Sequence, residues 1–374
     1  MAGRSTDVHL DQLGRIIIIR LGALGDVVRT MAAVQALRTA APQARIAWLV
    51  DDRCANILEG APCIDELLVV PRGELRAASR NPFRWPAWWR TWRALRRTLE
   101  AWRADAVFDF HGLFKTGVLT GCTGAPLRIG YVRGHSKEGA WRAYNVLVEA
   151  GPVRISRFER NLALVEPFGA RRPDEPPALA FSDAERGKID AFFAPLDAGR
   201  VVALFPGASR SGRRKRWPPA HYGALADRLV EEMGLVPLVV VGPGEAELAE
   251  EVCGAARVEV LVAPVLSVKE LALLLGRARC YIGGDTGPMH IASIMRTPVV
   301  MIIGPCDPVI SAPMPYSPFR IVEPASGEPY KRRRTADVTP DQVLAAVADL
   351  LGQTIPPGTI GNRVQGEKKV RESE

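Results

Sequence analysis

The sequence predicts an α/β protein of two doubly wound, Rossmann-like units facing each other across a cleft, and three observations carry that expectation. Short β-branched apolar runs without polar alternation, such as "RIIIIR" (15–20) and "RVVALF" (200–205), suit strands buried on both faces of a parallel sheet. Helical segments follow these runs, which is the alternation of βαβ units. The whole pattern occurs twice, on either side of "FGARRPDEPPALAFSD" (168–183), whose prolines and charges read as a linker. A chain of 374 residues, 47% of them hydrophobic, can fill two ordinary cores.

In the first half the strand-like runs are 15–20, "RIAWLV" (45–50), "DELLVV" (65–70) and "DAVFDF" (105–110), with a helix from about Val27 to Thr39. The second half gives 200–205, a helix from about Pro219 to Met233, "LVPLVVVG" (235–242), a helix from about Glu245 and "VEVLVA" (258–263). It continues with a helix near 267–276, "RCYIGG" (279–284), a helix over "PMHIASIM" and "PVVMIIG" (298–304). The expected units are 1–175 and 184–350, with a polar, disordered tail over 351–374. Ligands of such sheets bind beyond the carboxyl ends of the strands, so the loops there are where chemistry is expected.

Composition narrows the partners. A net charge of +8 favours an anionic one without separating nucleic acid, membrane and phosphorylated substrate. Six scattered cysteines with no C-x-x-C suit a reducing cytosol and neither a disulfide framework nor a zinc site. The first residues lack the apolar centre of a signal peptide, and no run approaches the ~20 apolar residues of a spanning helix. The expectation is a soluble or peripheral protein.

Three loops could carry chemistry. "LGALGD" (21–26) has glycines at 22 and 25, so the G-x-G opening of a dinucleotide fingerprint is missing, and only Asp51 and Asp52 after the second strand favour a nicotinamide cofactor. Asp26 fits a helix N-cap, worth about 1 kcal/mol, and equally a general base displayed to a hydroxyl-bearing substrate. "FPGASRSGRRKRWPP" (205–219) contains G-x-x-x-x-G but follows it with Arg213 and Arg214 rather than the Lys and Ser/Thr of a P-loop. Its serines and cations, Ser209, Ser211 and Lys215 among them, suit a diphosphate bound without a metal. "GGDTGPMHIA" (283–292) is a strand, a glycine turn and a helix start, where Asp285 or Thr286 can cap the helix and Pro288 suits its first turn. Such a terminus offers backbone N–H groups to an anion, with His290 on the face of Thr286. Neither a D-x-D nor a metal-spaced His/Cys/Asp cluster occurs, which disfavours a metal-bridged diphosphate.

"RNPFRWPAWWRTWRALRRTLEAWR" (80–103) places Trp88, Trp92, Leu95, Leu99 and Trp102 on one apolar stripe, with Arg90, Arg93, Arg97 and Arg103 elsewhere. Trp85 and Trp89 are surplus to that stripe. Together with the arginines they suit an edge resting on an anionic bilayer, to which "KRRR" (331–334) can add.

Taken together, "GDVVRTMAAVQALR", "KRWPP" and "GGDTGPMHIA" leading to "PVVMIIGPCDP" resemble glycosyltransferase family 9, the ADP-heptose:lipopolysaccharide heptosyltransferases. "DFHGLFKTG" (109–117), "HSKEGAWRAYN" (135–145) and "RFERN" (157–161) resemble acceptor-domain segments of the type that adds the first heptose. The resemblance implies a GT-B architecture and metal-independent inverting transfer from ADP-heptose to Kdo-lipid A on the cytoplasmic face of the inner membrane. No cofactor and no nucleic acid are expected. It implies Asp26 as catalytic base and Lys215 as the cation holding the diphosphate. Glu245 is matched to a ribose contact, and Ser209, Ser211, Leu266, Asp285, Thr286, Gly287, Pro288 and His290 complete the nucleotide-sugar set. Gly25, His111, Lys115 and Lys137 fall to the acceptor, Lys137 standing where an arginine is usual. The rival readings are a transferase or epimerase acting on another nucleotide sugar, a nicotinamide oxidoreductase, and a catalytically silent basic binding protein.

Overall fold

The computed structural model describes residues 9–79, 85–208 and 210–353, with Arg76, Ser79, Arg210 and Ser211 described by their backbone only. The expected polar tail beyond residue 353 lies outside the described residues, as does Ser209.

Two six-stranded parallel sheets form the frame. The first contains β1 (Arg15–Ile19), β2 (Arg45–Asp51), β3 (Glu66–Val70), β4 (Ala106–Asp109), β5 (Leu127–Tyr131) and β6 (Val146–Val148), in the order β3-β2-β1-β4-β5-β6. The second contains β7 (Val201–Phe205), β8 (Val236–Val239), β9 (Leu261–Val262), β10 (Cys280–Gly284), β11 (Val299–Ile302) and β12 (Phe319–Val322). Its order, β12-β11-β10-β7-β8-β9, is the same plan with β7 in the place of β1. Both sheets change direction beside their first strand, between β1 and β4 and between β7 and β10, and ligands of such sheets enter there.

The apolar runs behave as their composition demands. Ile16 to Ile19 and Val201 to Leu204 are fully buried, because helices cover both faces of the central strands. Of the connecting helices, α1 (Leu24–Ala40) follows β1, α2 (Arg72–Ser79) and α3 (Trp85–Ala101) precede β4, and α4 (Phe114–Cys122) follows it. Next come α5 (Arg157–Ala163), α6 (Asp183–Phe193), α7 (Pro219–Met233), α8 (Ala246–Ala255), α9 (Val268–Arg277), α10 (Gly287–Ile294), α11 (Pro308–Ser311) and α12 (Pro340–Leu351). The last of these packs on α7, β11 and β12, on its own sheet.

Two local expectations change. α1 opens at Leu24, about one turn before the expected Val27, with Ala23 at its N-cap, so Asp26 sits inside the first turn and does not cap the helix. Strand β9 keeps only two residues of the 258–263 run. The cysteines are all unpaired, as their scatter implied.

On α3, Leu95, Leu99 and Trp102 beyond its end are buried, Trp92 packs beside them, and Trp88 stacks on Trp92 at 5.9 Å. Trp85 and Trp89 stay 57% and 51% exposed, next to exposed Arg90, Arg93 and Arg97. No helix among the described residues is long and apolar enough to cross a membrane.

The two sheets meet where α1 packs against α10. A Cβ on Gly25 would lie 2.8 Å from His290 Cδ2 and 3.3 Å from Gly287 Cα, and one on Gly287 would lie 3.1 Å from Leu24 Cδ2. Glycine at both positions is therefore what lets the helix starts touch. Arg154 on Asp307 (2.7 and 3.3 Å) and Lys269 Nζ donating to Glu59 O (2.8 Å) bridge the same seam.

Candidate active site

Between the carboxyl ends of the sheets lies a cavity of about 730 Å³, within the range of a nucleotide-sized ligand site, roughly 300–1,000 Å³. It takes Gly25, Asp26 and Arg29 from the start of α1 and Arg157 from α5. The basic loop after β7 supplies Arg213, Lys215 and Arg216; Glu245 comes from the start of α8, and Asp285, Thr286, Gly287, Pro288 and His290 from the β10–α10 turn. Asp26 and Lys215 thus line one space from opposite sheets. Five cations face three acids there, and each acid already holds at least one of the cations.

Asp26 is the most heavily engaged. Its Oδ2 receives Arg20 Nη2 at 2.5 Å, and its Oδ1 receives Arg29 Nη2 at 2.5 Å and Arg157 Nη1 at 3.1 Å. Burial by itself would push the carboxyl upward, but Arg20, Arg29 and Arg157 outweigh it and hold the group well below the usual carboxylate range. Asp26 is consequently ionised and, in this arrangement, a weak base.

In the second sheet, Lys215 ends a short 3-10 helix over Arg210–Lys215, and its Nζ lies 2.7 Å from Asp285 Oδ2. Desolvation would lower the ammonium and raise the carboxyl; their mutual attraction wins for both, so Lys215 is raised and Asp285 lowered. Ser311 Oγ also donates to Asp285 Oδ2, at 3.0 Å. Thr286 occupies the N-cap of α10 without a side-chain capping bond, its hydroxyl lying 3.3 Å from Tyr281 OH, and this corrects the capping expectation. That leaves N–H groups of the first turn without a side-chain cap beside the cavity. His290 is 1% exposed with neither ring nitrogen hydrogen-bonded, and burial followed by the field of Arg29 keeps it neutral, well below an ordinary imidazole.

Glu245 sits at the N-cap of α8, where its carboxylate gathers Ala208 N (3.2 Å), Gly242 N (3.2 Å) and Arg216 Nη2 (2.5 Å). A Cβ on Gly207 would come within van der Waals overlap of that carboxylate, so the basic loop and Glu245 are fitted to each other. Leu266 is half-buried against the apolar core and does not line the cavity.

A second pocket, of about 190 Å³, adjoins the first and shares Asp26 and Arg157 with it. Arg20, His111, Lys137 and Arg160 also line it, and Asp26 is its only acid among the described residues. His111 is positioned by Asp109, whose Oδ1 accepts from the backbone N–H groups of His111 (2.8 Å) and Gly112 (3.2 Å), while Tyr144 OH donates to Oδ2 (2.7 Å). Burial, then Arg20 and Lys115, hold the His111 imidazole down at about 3, so it is neutral. Lys115 is exposed on α4 and lines neither space. The nicotinamide alternative loses its support here. Asp51, 1% exposed, is taken by Arg53 (3.1 Å) and Arg72 (2.8 Å), and Asp52 accepts from Gly73 N (3.2 Å).

Arg20, Arg29, Arg157, Arg160 and Arg216 were not singled out as site residues from sequence. Arg157 and Arg160 lie in the quoted "RFERN" segment, and Arg216 in the basic loop. Arg20 and Arg29 gave no signal, since an arginine flanking a strand and one inside a helix read as surface. Among the described residues, no group of three His, Cys, Asp or Glu side chains is disposed to hold a metal ion.

Comparison with known proteins agrees with this geometry. The family pattern of glycosyltransferase family 9 (heptosyltransferase) matches residues 92–336. Lipopolysaccharide heptosyltransferase 2 of Escherichia coli K12 is 25% identical over 363 residues, spanning 91% of this chain and 99% of its own length. Lipopolysaccharide heptosyltransferase 1 of Pseudomonas aeruginosa is 28% identical over 302 residues, 79% of each chain. Among solved structures, a family 9 glycosyltransferase from Veillonella parvula superposes with a TM-score of 0.75 at 21% identity, covering 92% of this chain and 98% of its own. The E. coli heptosyltransferase WaaC with ADP gives 0.71 at 22%, covering 90% and 99%, so the fold is the GT-B architecture. An acid and a cation meeting across a nucleotide-sized cleft, on that fold and under that family pattern, lead to one conclusion: the chain belongs to glycosyltransferase family 9 and is a glycosyltransferase.

Proposed function

We propose that this enzyme transfers heptose from ADP-heptose to the Kdo of Kdo-lipid A in lipopolysaccharide core synthesis, with inversion and without a metal. The reading rests on the meeting of Asp26 and Lys215 in one cavity from opposite sheets. An inverting transfer needs a base on the acceptor side and charge stabilisation on the leaving-group side. The half over 1–175 takes the acceptor in the pocket of Arg20, His111, Lys137 and Arg160. The half over 184–350 takes the nucleotide sugar.

In the step itself, Asp26 accepts the proton of an acceptor hydroxyl as its oxygen bonds to C1 of the heptose, a contribution of roughly 10²- to 10⁴-fold. The bond from C1 to the diphosphate breaks and its electron pair leaves on ADP. Lys215 and the uncapped start of α10 stabilise that charge, with Arg213 and Arg216 nearby. Cations at this density neutralise a diphosphate without a bridging ion. The acceptor is membrane-anchored, and the exposed Trp85 and Trp89 beside Arg90, Arg93 and Arg97 offer the cytoplasmic leaflet both an indole anchor and positive charge. Lipopolysaccharide heptosyltransferases 1 and 2 both align with the chain, and the resemblance of 109–117, 135–145 and 157–161 to the first-heptose type is what supports Kdo as the acceptor.

The test is ADP release from ADP-heptose with and without Kdo-lipid A, for wild type and Asp26→Asn. Acceptor-dependent release that falls about 10²-fold or more in the variant while ADP binding persists supports the reading. Release indifferent to the acceptor overturns the donor and acceptor assignment.

A further inference from the structure

The three arginines around Asp26 are not equivalent. Arg29, 4% exposed, is packed within α1, and Arg20, 11% exposed, is also tied to Phe110 O through Nη1 at 2.7 Å. Arg157 is 51% exposed, reaches Asp26 from the first turn of α5, and lines both spaces. Among the described residues, the carboxylate it binds is the only acid of the smaller pocket, where Arg20, Lys137 and Arg160 supply further positive charge. An anion entering that pocket competes directly with Asp26 for Arg157.

We propose that Arg157 is a positioning residue that couples acceptor occupancy to the basicity of Asp26: with the pocket empty it holds the carboxylate quiet, and the acidic group of the acceptor sugar draws it away. This rests on the acceptor assignment above and deepens it. The geometry explains why a base would be kept in a cage of cations at rest. Water admitted to an open donor site can attack C1, lose its proton to Asp26 and release ADP with free heptose. A subdued carboxylate slows that loss, and an acceptor that removes one of three cations restores base strength when a productive hydroxyl is present. Arg20 and Arg29 remain in place, so the carboxylate stays ionised throughout.

The experiment compares wild type, Arg157→Gln and Arg157→Lys, measuring ADP release from ADP-heptose without acceptor, with Kdo-lipid A, and with the same acceptor carrying dephosphorylated lipid A. Melting temperatures verify that the variants fold. The expected result is a several-fold rise in acceptor-free release for Arg157→Gln, with a higher KM for the acceptor, and near-wild-type behaviour for Arg157→Lys. One opposite charge at this range moves a carboxyl by about one pKa unit or more, which a base-strength dependence converts to a few-fold in rate. A structural lesion lowers every rate, so a gain in acceptor-free release is diagnostic. Unchanged acceptor-free release in a folded Arg157→Gln protein overturns the proposal. Loss of coupling with dephosphorylated lipid A overturns the assignment to the sugar's acidic group in favour of phosphate. Wild type showing no response to Kdo-lipid A overturns the acceptor reading instead, and the acceptor-free rates of the variants still decide the role of Arg157.

Discussion

Replacing Gly25 by alanine tests the contact on which the cleft depends. The added methyl group would stand 2.8 Å from His290 Cδ2 and 3.3 Å from Gly287 Cα. Neither neighbour yields easily, because His290 is 1% exposed and Gly287 is backbone at the start of α10. Overpacking of this kind costs about 1–3 kcal/mol. Alanine within the first turn of α1 regains up to about 1 kcal/mol of helix propensity, so overall stability changes little while the seam between the sheets is strained. If α1 and α10 separate to relieve the strain, a loss of about 2 kcal/mol from the closed arrangement weakens ADP binding roughly 30-fold. Calorimetric titration with ADP and urea unfolding read the two effects separately. In Gly25→Ala/His290→Ala the methyl group meets the space left by the ring, so the double variant binds ADP no worse than His290→Ala alone, a coupling of about 1 kcal/mol or more. A Gly25→Ala protein with wild-type affinity for ADP, or a cycle with no coupling, would refute the reasoning.

Lys215→Gln removes the cation paired with Asp285 and leaves that buried carboxylate with Ser311 alone at Oδ2; kcat should fall by at least about 10²-fold and ADP affinity should weaken, both read in steady-state ADP release. Stability should decline as pH drops below about 6.5, because the unfolded chain protonates its histidines there while folded His290 stays neutral and folded His111 does so down to about 3. The slope is at most about 1.4 kcal/mol per pH unit for each group, and Asp26, with its depressed value, adds none above about pH 5. Urea unfolding at about pH 7.5 and 5.5 should show a shallower dependence in His111→Asn and His290→Asn; an unchanged dependence would contradict the burial argument. Trp85→Ala/Trp89→Ala should reduce flotation with anionic liposomes and leave ADP binding intact, and the wild-type flotation should weaken as salt rises.

How much of this could be read from the residues depends on the range of the interaction concerned. The helix over Pro219–Met233 has the bounds its sequence implied, since Pro219 fixes the first turn and Gly234, at φ 62°, ends it. The β10–α10 turn and the cation of Lys215 were legible because strand, glycine and helix start adjoin in sequence. β5 and β6 were not named: the five residues of the first include an arginine and a glycine, and the second is an apolar run of only three residues. Asp26 was legible as a candidate, and it does line the cavity, but the arginines that set its ionisation were not legible. Arg157 lies 131 residues away, and only the packing of α5 on α1 brings it there. The same holds for His290, whose place beside the glycine turn was visible but whose contact with Gly25 across two sheets was not.

The chain passes from one sheet to the other once, through residues 170–182, and its last described helix, α12, folds back on its own sheet. Each half is therefore a continuous piece of gene, and a single recombination event in that stretch could exchange one whole half for a relative's. A chimaera would inherit the pocket of Arg20, His111 and Arg160 from one parent and the basic loop with the α10 turn from the other. Compatibility would depend on the seam, where both parents must match Leu24 and Gly25 against Gly287 and His290 and keep the Arg154–Asp307 and Lys269–Glu59 bridges. On the proposed division of labour between the halves, diversification of the sugar that receives can in this way proceed without disturbing the machinery that holds the sugar given.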